Sequence, residues 1–200
     1  MNKQNEPNQL QKDLEIACLS GNEELVIEIL EKGVSPNFCY ISGSPLSVAV
    51  LRNNLVLLEL LLSHGADLNF SDSDSLFERF PLEVACKDKN FHMVDYLISL
   101  GAKVNMVSGA GKSILEVAVA TGNREIVAKL LEAGADVEIK SGSNSLVYDK
   151  TPICAAVEMN DTEMVEYLVK MGAKTKPIRK LRRFEIHPKM VRFLKAKKYL

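Results

Sequence analysis

Tryptophan is absent from this chain of 200 residues, and aromatic residues as a whole make up only 6% of it. A core built from such a sequence must be aliphatic. Apolar residues reach 46%, ordinary for a protein that buries one. Long apolar runs are also missing. None approaches the roughly 18 residues that would span a bilayer. The polar opening "MNKQNEPNQLQKD" lacks the apolar centre of a signal peptide. The expectation is a soluble, cytoplasmic protein with no membrane contact. Cysteine is scarce and scattered. Cys18, Cys39, Cys86 and Cys154 never form a C-x-x-C pair, which fits neither a disulfide framework nor a zinc finger. Reduced thiols in a reducing compartment are expected. Positive charge is thin over most of the length. Residues 1–173 hold 14 Lys/Arg against 25 Asp/Glu, net −11, whereas residues 174–200 hold 11 Lys/Arg against Glu185 alone, net +10. A net charge of −1 thus hides an acidic body and a basic tail.

Catalytic and cofactor constellations are missing as well. The stretch "VSGAGKSILEVA" (107–118) invites a phosphate-binding reading. A P-loop requires G-x-x-x-x-G-K-[ST], and counting back from Gly111-Lys112-Ser113 puts Met106 where its first glycine belongs. No βαβ alternation surrounds it. "SDSDS" (71–75) has neither the ligand spacing nor the glycine of a calcium loop. His64, His92 and His187 have no Cys or His partner at ligand spacing. No nucleophile–base pair can be assembled. The chain is expected to be no enzyme, with no catalytic, metal or cofactor site and no small-molecule substrate.

What is present is repetition. One line recurs five times: "GNEELVIEILEKG" (21–33), "NNLVLLELLLSHG" (53–65), "KNFHMVDYLISLG" (89–101), "GNREIVAKLLEAG" (122–134) and "NDTEMVEYLVKMG" (160–172). Apolar pairs at i, i+1, i+4 and i+5 mark one stripe of a helix. Asn22, Asn54, Asn90, Asn123 and Asp161 stand at N-cap positions. Gly33, Gly65, Gly101, Gly134 and Gly172 stand where helices end in a left-handed residue. A shorter helix precedes each line: "DLEIACLS", "SPLSVAVLR", "FPLEVACKD", "SILEVAVAT" and "TPICAAVEM". Its small residues, such as Ala49, Ala85 and Ala118, let neighbouring helices approach closely. Pro45, Pro81 and Pro152 suit a first helical turn, where a missing N–H costs little.

These residues carry a resemblance. "SPLSVAVLRNNLVLLELLLSHGADLN" (44–69) and "SILEVAVATGNREIVAKLLEAGADVE" (113–138) closely follow the family line T-P-L-H-x-A-A-x-x-G-H-x-E-I-V-x-x-L-L-x-x-G-A-D-V-N, and the chain resembles an ankyrin-repeat protein over roughly residues 12–176. The fold implied is all-α, a solenoid of antiparallel helix pairs joined by hairpin-like fingers. The units fall at about 12–43, 44–79, 80–111, 112–149 and 150–176, after a flexible polar N-terminus (1–11). The basic segment 177–200 reads as a truncated sixth repeat: Met190/Val191 and Phe193/Leu194 follow Met164/Val165 and Tyr167/Leu168. It would cover the last apolar face. Two departures stand out. The family histidine is replaced by Ser47, Glu83, Glu116 and Cys154, which leads one to expect weaker hydrogen bonding between repeats. Glycine spacings of 32, 36, 33 and 38 against a period of about 33 point to lengthened fingers at "SDSDSLFERF" (71–80) and "SGSNSLVYDK" (141–150).

The resemblance implies a protein-binding module working through its concave face, at the finger tips and the exposed ends of the short helices. At the helix ends stand Leu19, Leu51, Arg52, Lys87, Asp88, Thr121, Glu158 and Met159. On the fingers stand Leu76, Phe77, Glu78, Arg79, Lys112, Leu146, Tyr148, Asp149 and Lys150. Leu19, Leu51 and Met159 are apolar where a scaffold does not demand it. An acidic body steers toward a protein with a basic surface, so the first expectation is a stoichiometric inhibitor or immunity protein of a basic enzyme or toxin, monomeric in isolation. An adaptor or host-directed effector scaffold is the second. A nucleic-acid-associated regulator using the tail is the third, and the acidic body argues against nucleic acid as partner.

Overall fold

A computed structural model of the chain describes residues 9–39, 43–70, 79–141, 150–181 and 186–200. Among them the regular structure is entirely helical. Helices α1 (Gln9–Ser20), α2 (Glu23–Glu31), α3 (Pro45–Leu51), α4 (Leu55–Ser63), α5 (Pro81–Lys87) and α6 (Phe91–Ser99) are followed by α7 (Ile114–Thr121), α8 (Arg124–Glu132), α9 (Pro152–Glu158) and α10 (Thr162–Lys170). A 3-10 segment (Lys176–Lys180) and α11 (Pro188–Ala196) complete the series. In place of strands there are two isolated antiparallel bridges, Val107–Ser113 and Ser141–Lys150.

The chain divides into two compact units, residues 1–88 with 92–103, and residues 89–91 with 104–200. In the first, α1 packs on α2 and α3, and α3 packs on α4 and α5. In the second, α7 packs on α8 and α9, and α9 packs on α10 and the 3-10 segment. Each unit therefore repeats one local event. A first helix turns into an antiparallel second one, and first helices of neighbouring pairs lie side by side. The first helix is the shorter in every pair but α1–α2, where α1 starts at Gln9, inside the stretch expected to be flexible.

The caps explain where the helices start. Asn22, Asn54, Asn123 and Asp161 accept from the amides of Leu25, Leu57, Ile126 and Met164 at 3.1, 3.0, 3.1 and 2.8 Å. Ser44 and Ser113 do the same for the short helices α3 and α7, accepting from the amides of Ser47 and Glu116. Pro45, Pro81 and Pro152 open α3, α5 and α9. The longer helices end as their glycines predict: Gly33, Gly65, Gly101, Gly134 and Gly172 have φ between 83° and 100°.

The apolar stripes form the core. Leu57, Leu58 and Leu61 of α4, Ile126, Val127 and Leu130 of α8, and Met164, Val165 and Leu168 of α10 are all fully buried. Ala49, Ala85, Ala118 and Ala156 are inaccessible as well, which is what allows the short helices to pack closely. In α11, Met190 and Leu194 are buried, as is Ile178 of the 3-10 segment.

A polar ladder joins consecutive pairs inside each unit. In the first unit the Asn37 side chain donates to the Gly65 carbonyl at 2.9 Å and accepts from the Asp67 amide at 2.8 Å. Asn69 repeats this on the Gly101 carbonyl and the Lys103 amide. In the second unit Asn105 does so on the Gly134 carbonyl and the Asp136 amide. One amide side chain thus satisfies both a helix-terminal carbonyl and a turn N–H. At the next step Glu138 stands in this position and accepts from the Lys174 amide at 2.8 Å. A carboxylate has no N–H to give, so the donor half of the pair is lost there.

The expectation of weaker bonding at the replaced histidines is corrected at Ser47 and Glu116. The Ser47 hydroxyl donates to the Arg79 carbonyl, 32 residues away. The Ser141 hydroxyl donates to the Glu116 carboxylate. A hydroxyl or carboxylate of suitable reach thus makes the long-range bond that imidazole was expected to supply. Cys154 makes a local sulfur contact, with Thr151 at 3.8 Å.

Candidate protein-interaction site

Three kinds of element present the candidate residues: the last turn of each short helix, the left-handed turn after it, and the base of each finger. The turns are set by Gly21, Asn53, Lys89, Gly122 and Asn160, all with positive φ. They force the chain to leave the short helix abruptly, so the side chains just before them project from its end.

In the first unit, Leu19 is half-buried in α1. Leu51 ends α3 and is 52% exposed. Arg52 caps α3, and its guanidinium lies 3.9 Å from the position a Cβ on Gly21 would take. Lys87 and Asp88 end and cap α5, both exposed. Arg79 is exposed, while its carbonyl is held by Ser47. Gly43 faces this point with φ 100°, and a Cβ there would meet the Ser47 Cβ at 3.3 Å and the Arg79 Cβ at 3.8 Å. The backbone can approach only because no side chain intervenes.

Two neighbours of Leu51 escaped sequence reasoning. Leu55 and Val56, on the first turn of α4, are 49% and 60% exposed. With Ser20, Gly21, Arg52, Asn53 and Asn54 they line a shallow depression of about 580 Å3. The signal was available: α4 reads "LVLLELLLS", apolar beyond the buried stripe of Leu57, Leu58 and Leu61. A helix that is apolar around most of its circumference has more apolar surface than its core needs.

In the second unit, the Gly109–Gly111 turn is a tight finger tip. Gly111 has φ 72° and donates to the Ser108 carbonyl at 2.7 Å. Lys112 next to it is exposed. Thr121 ends α7, half-buried, with its hydroxyl turned back to the Ala118 carbonyl. Glu158 ends α9 and pairs with Lys150 at 2.5 Å. Met159 caps α9 and is 57% exposed. Leu76, Phe77, Glu78, Leu146, Tyr148 and Asp149 lie outside the described residues.

A buried polar network underlies Lys112, Lys150 and Glu158. Ser113 caps α7 through its hydroxyl, and its amide donates to the Ser141 hydroxyl at 3.3 Å. Ser141 donates to Glu116 and, through its amide, to the Lys150 carbonyl at 2.8 Å. Burial pushes the Glu116 carboxyl above its ordinary range. The Ser141 hydrogen bond and the positive charges of Lys112 and Lys150 oppose that rise, and Glu158 adds to it. The base of this finger is therefore a built polar joint rather than a passive loop.

Among the described residues no cluster of His, Cys, Asp or Glu could hold a metal ion, and no helix is long and apolar enough to cross a membrane. The Cys18 and Cys86 thiols are pushed up to about 12, by burial first and by Glu15 and Glu83 second.

Paired helices in series, left-handed glycines closing them, and a side-chain ladder tying each pair to the next define a helical repeat protein. Comparison with known families makes this specific. Ankyrin repeats (3 copies) match residues 46–141 and a further ankyrin repeat matches residues 148–177. The chain belongs to the ankyrin-repeat family, whose repeats are protein–protein interaction modules. It is similar to the mouse (Mus musculus) ankyrin repeat and SOCS box protein 6, 35% identical over 115 residues, covering 52% of this chain and 27% of that one. It is similar to mouse Rabankyrin-5, 29% identical over 178 residues, 86% of this chain and 14% of that one. The Fowlpox virus ankyrin repeat protein FPV230 is 29% identical over 179 residues, 72% of this chain and 93% of the viral one. The chain spans about a quarter or less of the two mouse relatives' length.

Proposed function

We propose that the chain binds a protein partner through the ends of its short helices and the bases of its fingers, without catalysing a reaction. The observation that carries this reading is the exposure of Leu51 and Met159 at the ends of α3 and α9, while the nearby Val50 and Val157 are buried. The scaffold is satisfied without them. Arg52, Leu55 and Val56 extend the patch in the first unit, and Lys112, Lys150 and Glu158 give the second unit a charged rim. Apolar anchors ringed by polar groups are the usual energetic centre of a protein interface.

The net charge of −11 over residues 1–173 favours a basic partner, because complementary charge speeds encounter and rejects acidic competitors. A stoichiometric inhibitor or immunity protein of a basic enzyme or toxin fits that chemistry. The test is a pull-down from native lysate with mass spectrometry. A basic enzyme in 1:1 complex, whose capture is lost on Leu51→Glu and Met159→Glu, supports the reading. Capture that survives both substitutions overturns the proposed surface, and a captured partner that is acidic or uninhibited overturns the inhibitor role.

An adaptor role is the second reading. Similarity to a protein whose name joins ankyrin repeats to a SOCS box favours it. Such a chain would return a multiprotein assembly from the same pull-down. The third reading, a nucleic-acid-associated regulator, requires that removal of residues 177–200 abolish retention on nucleic acid.

A further inference from the structure

The basic segment holds a feature that a mere cap does not need. Between the 3-10 segment and α11 lies a cavity of about 470 Å3, within the second unit, lined by Ile178, Leu181, Ile186 and Val191 together with Arg179 and Lys195. Leu200 also reaches it, because the chain folds back after α11. Lys198 takes a left-handed turn, the Tyr199 amide donates to the Leu194 carbonyl at 2.9 Å, and the Tyr199 ring meets Phe193 edge-on at 6.3 Å. The volume lies in the range of cavities that hold ligands, about 300–1,000 Å3.

The described cations of the segment divide into paired and unpaired ones. Lys174 pairs with Glu138 and Lys197 with Glu166. Among the described residues, Arg179, Lys180, Arg192 and Lys195 have no carboxylate partner, and all four are exposed. Arg192 and Lys195 stand three residues apart on α11, so they project from one face. An occupant must therefore offer an apolar group for the cavity and several negative charges around it. A single fatty carboxylate would leave most of these cations unanswered. A polynucleotide would supply charge but nothing aliphatic, and the described wall has no ring on which a base could stack.

We propose that this cavity is a second docking site, taking an apolar side chain from an acidic segment of a partner protein, with flanking carboxylates paired to Arg179 and Lys195. It is separate from the helix-end surface proposed above, and prefers the opposite partner charge. A protein carrying both would bridge a basic and an acidic partner.

The test is fluorescence anisotropy on the full chain with a labelled peptide alternating Glu and Leu. The control peptide has every Leu replaced by Ser. The Leu peptide is expected to bind at least about tenfold more tightly than the Ser peptide, equivalent to about 1.4 kcal/mol. Arg179→Glu with Lys195→Glu should weaken it by a similar factor while leaving the thermal midpoint in place. Leu181→Ser should weaken it without changing the salt dependence. Equal binding of the two peptides overturns the apolar anchor. Preferential displacement by a single-stranded oligonucleotide makes the surface a nucleic-acid site and overturns the proposal. So does concentration-dependent self-association that the charge reversals abolish, since the occupant would then be a second copy. None of these outcomes depends on Leu51 or Met159, so this site and the helix-end site stand or fall separately.

Discussion

Glu116 is a carboxyl group in a place that does not favour its charge. It is buried at the joint of α7 with the finger base, held by Ser141, and faced by Lys112, Lys150 and Glu158. Burial dominates and raises its pKa above the ordinary value of 4.5. The folded chain then holds this proton more tightly than the unfolded chain does. Its contribution to stability is fully present below the ordinary value and is lost as pH rises through the raised one. Glu116→Gln should therefore gain stability relative to the parent as pH rises from about 4 to about 8. Urea denaturation at several pH values measures it, and a constant difference would show that the charge is already compensated. The thiols make a second residue-scale case. The thiolate is the reactive form, and Cys18 and Cys86 are buried with pKa pushed up to about 12. In native protein at neutral pH both should react with a disulfide reagent far more slowly than after denaturation, as mass spectrometry of the labelled peptides would read. Leu51 and Met159 were legible at this scale because aligning the repeats shows where the scaffold stops requiring apolar residues. For Leu55 and Val56 the sequence showed only that α4 has more apolar residues than one buried stripe needs, and which of them stay open to water depends on packing.

Among the elements, the pairs are held by their caps and by the ladder. Asn105 serves two backbone groups at once, the Gly134 carbonyl and the Asp136 amide. Asn105→Ala should cost about 1–3 kcal/mol, since both lose a partner. Asn105→Asp should cost less, because a carboxylate keeps the acceptor half, as Glu138 does with Lys174. Thermal denaturation of the two variants checks the order, and equal losses would mean the acceptor half carries nothing. In the core, Leu130→Ala should cost about 2–5 kcal/mol, because Leu130 is inaccessible and a cavity would remain. The helices, their apolar stripes and four N-caps could be read from the sequence, since each depends on spacing within a dozen residues. The ladder was half-legible. Asn37, Asn69, Asn105 and Glu138 recur with the closing glycines, but their partners sit about thirty residues on. The Ser113–Ser141–Glu116 joint was not legible. Nothing local marks a linker serine as the partner of a helical glutamate 25 residues earlier.

At the scale of the molecule, charge separates along the chain more sharply than structure does. The net −11 of residues 1–173 and the net +10 of residues 174–200 give the two proposed surfaces opposite preferences. Association with a basic partner at the helix ends should slow as ionic strength rises, with dissociation much less affected, because steering is screened within about 8 Å at physiological salt. Surface plasmon resonance over a salt series checks this. A rate of association that does not move with salt would leave the apolar anchors as the whole of the recognition.

The sequence by itself determined the repeat, the family and the helical class, because those rest on apolar periodicity, caps and left-handed glycines that act within a few residues. It also determined the charge division, which is a matter of counting. Only the tertiary structure decided which replacements of the family histidine still bond across repeats, that Leu55 and Val56 join the exposed patch, and that the basic segment forms an open, mainly apolar cavity edged by Arg179 and Lys195. Those features depend on which distant side chains meet and on how much of each remains open to water, and neither is written in the spacing of residues along the chain.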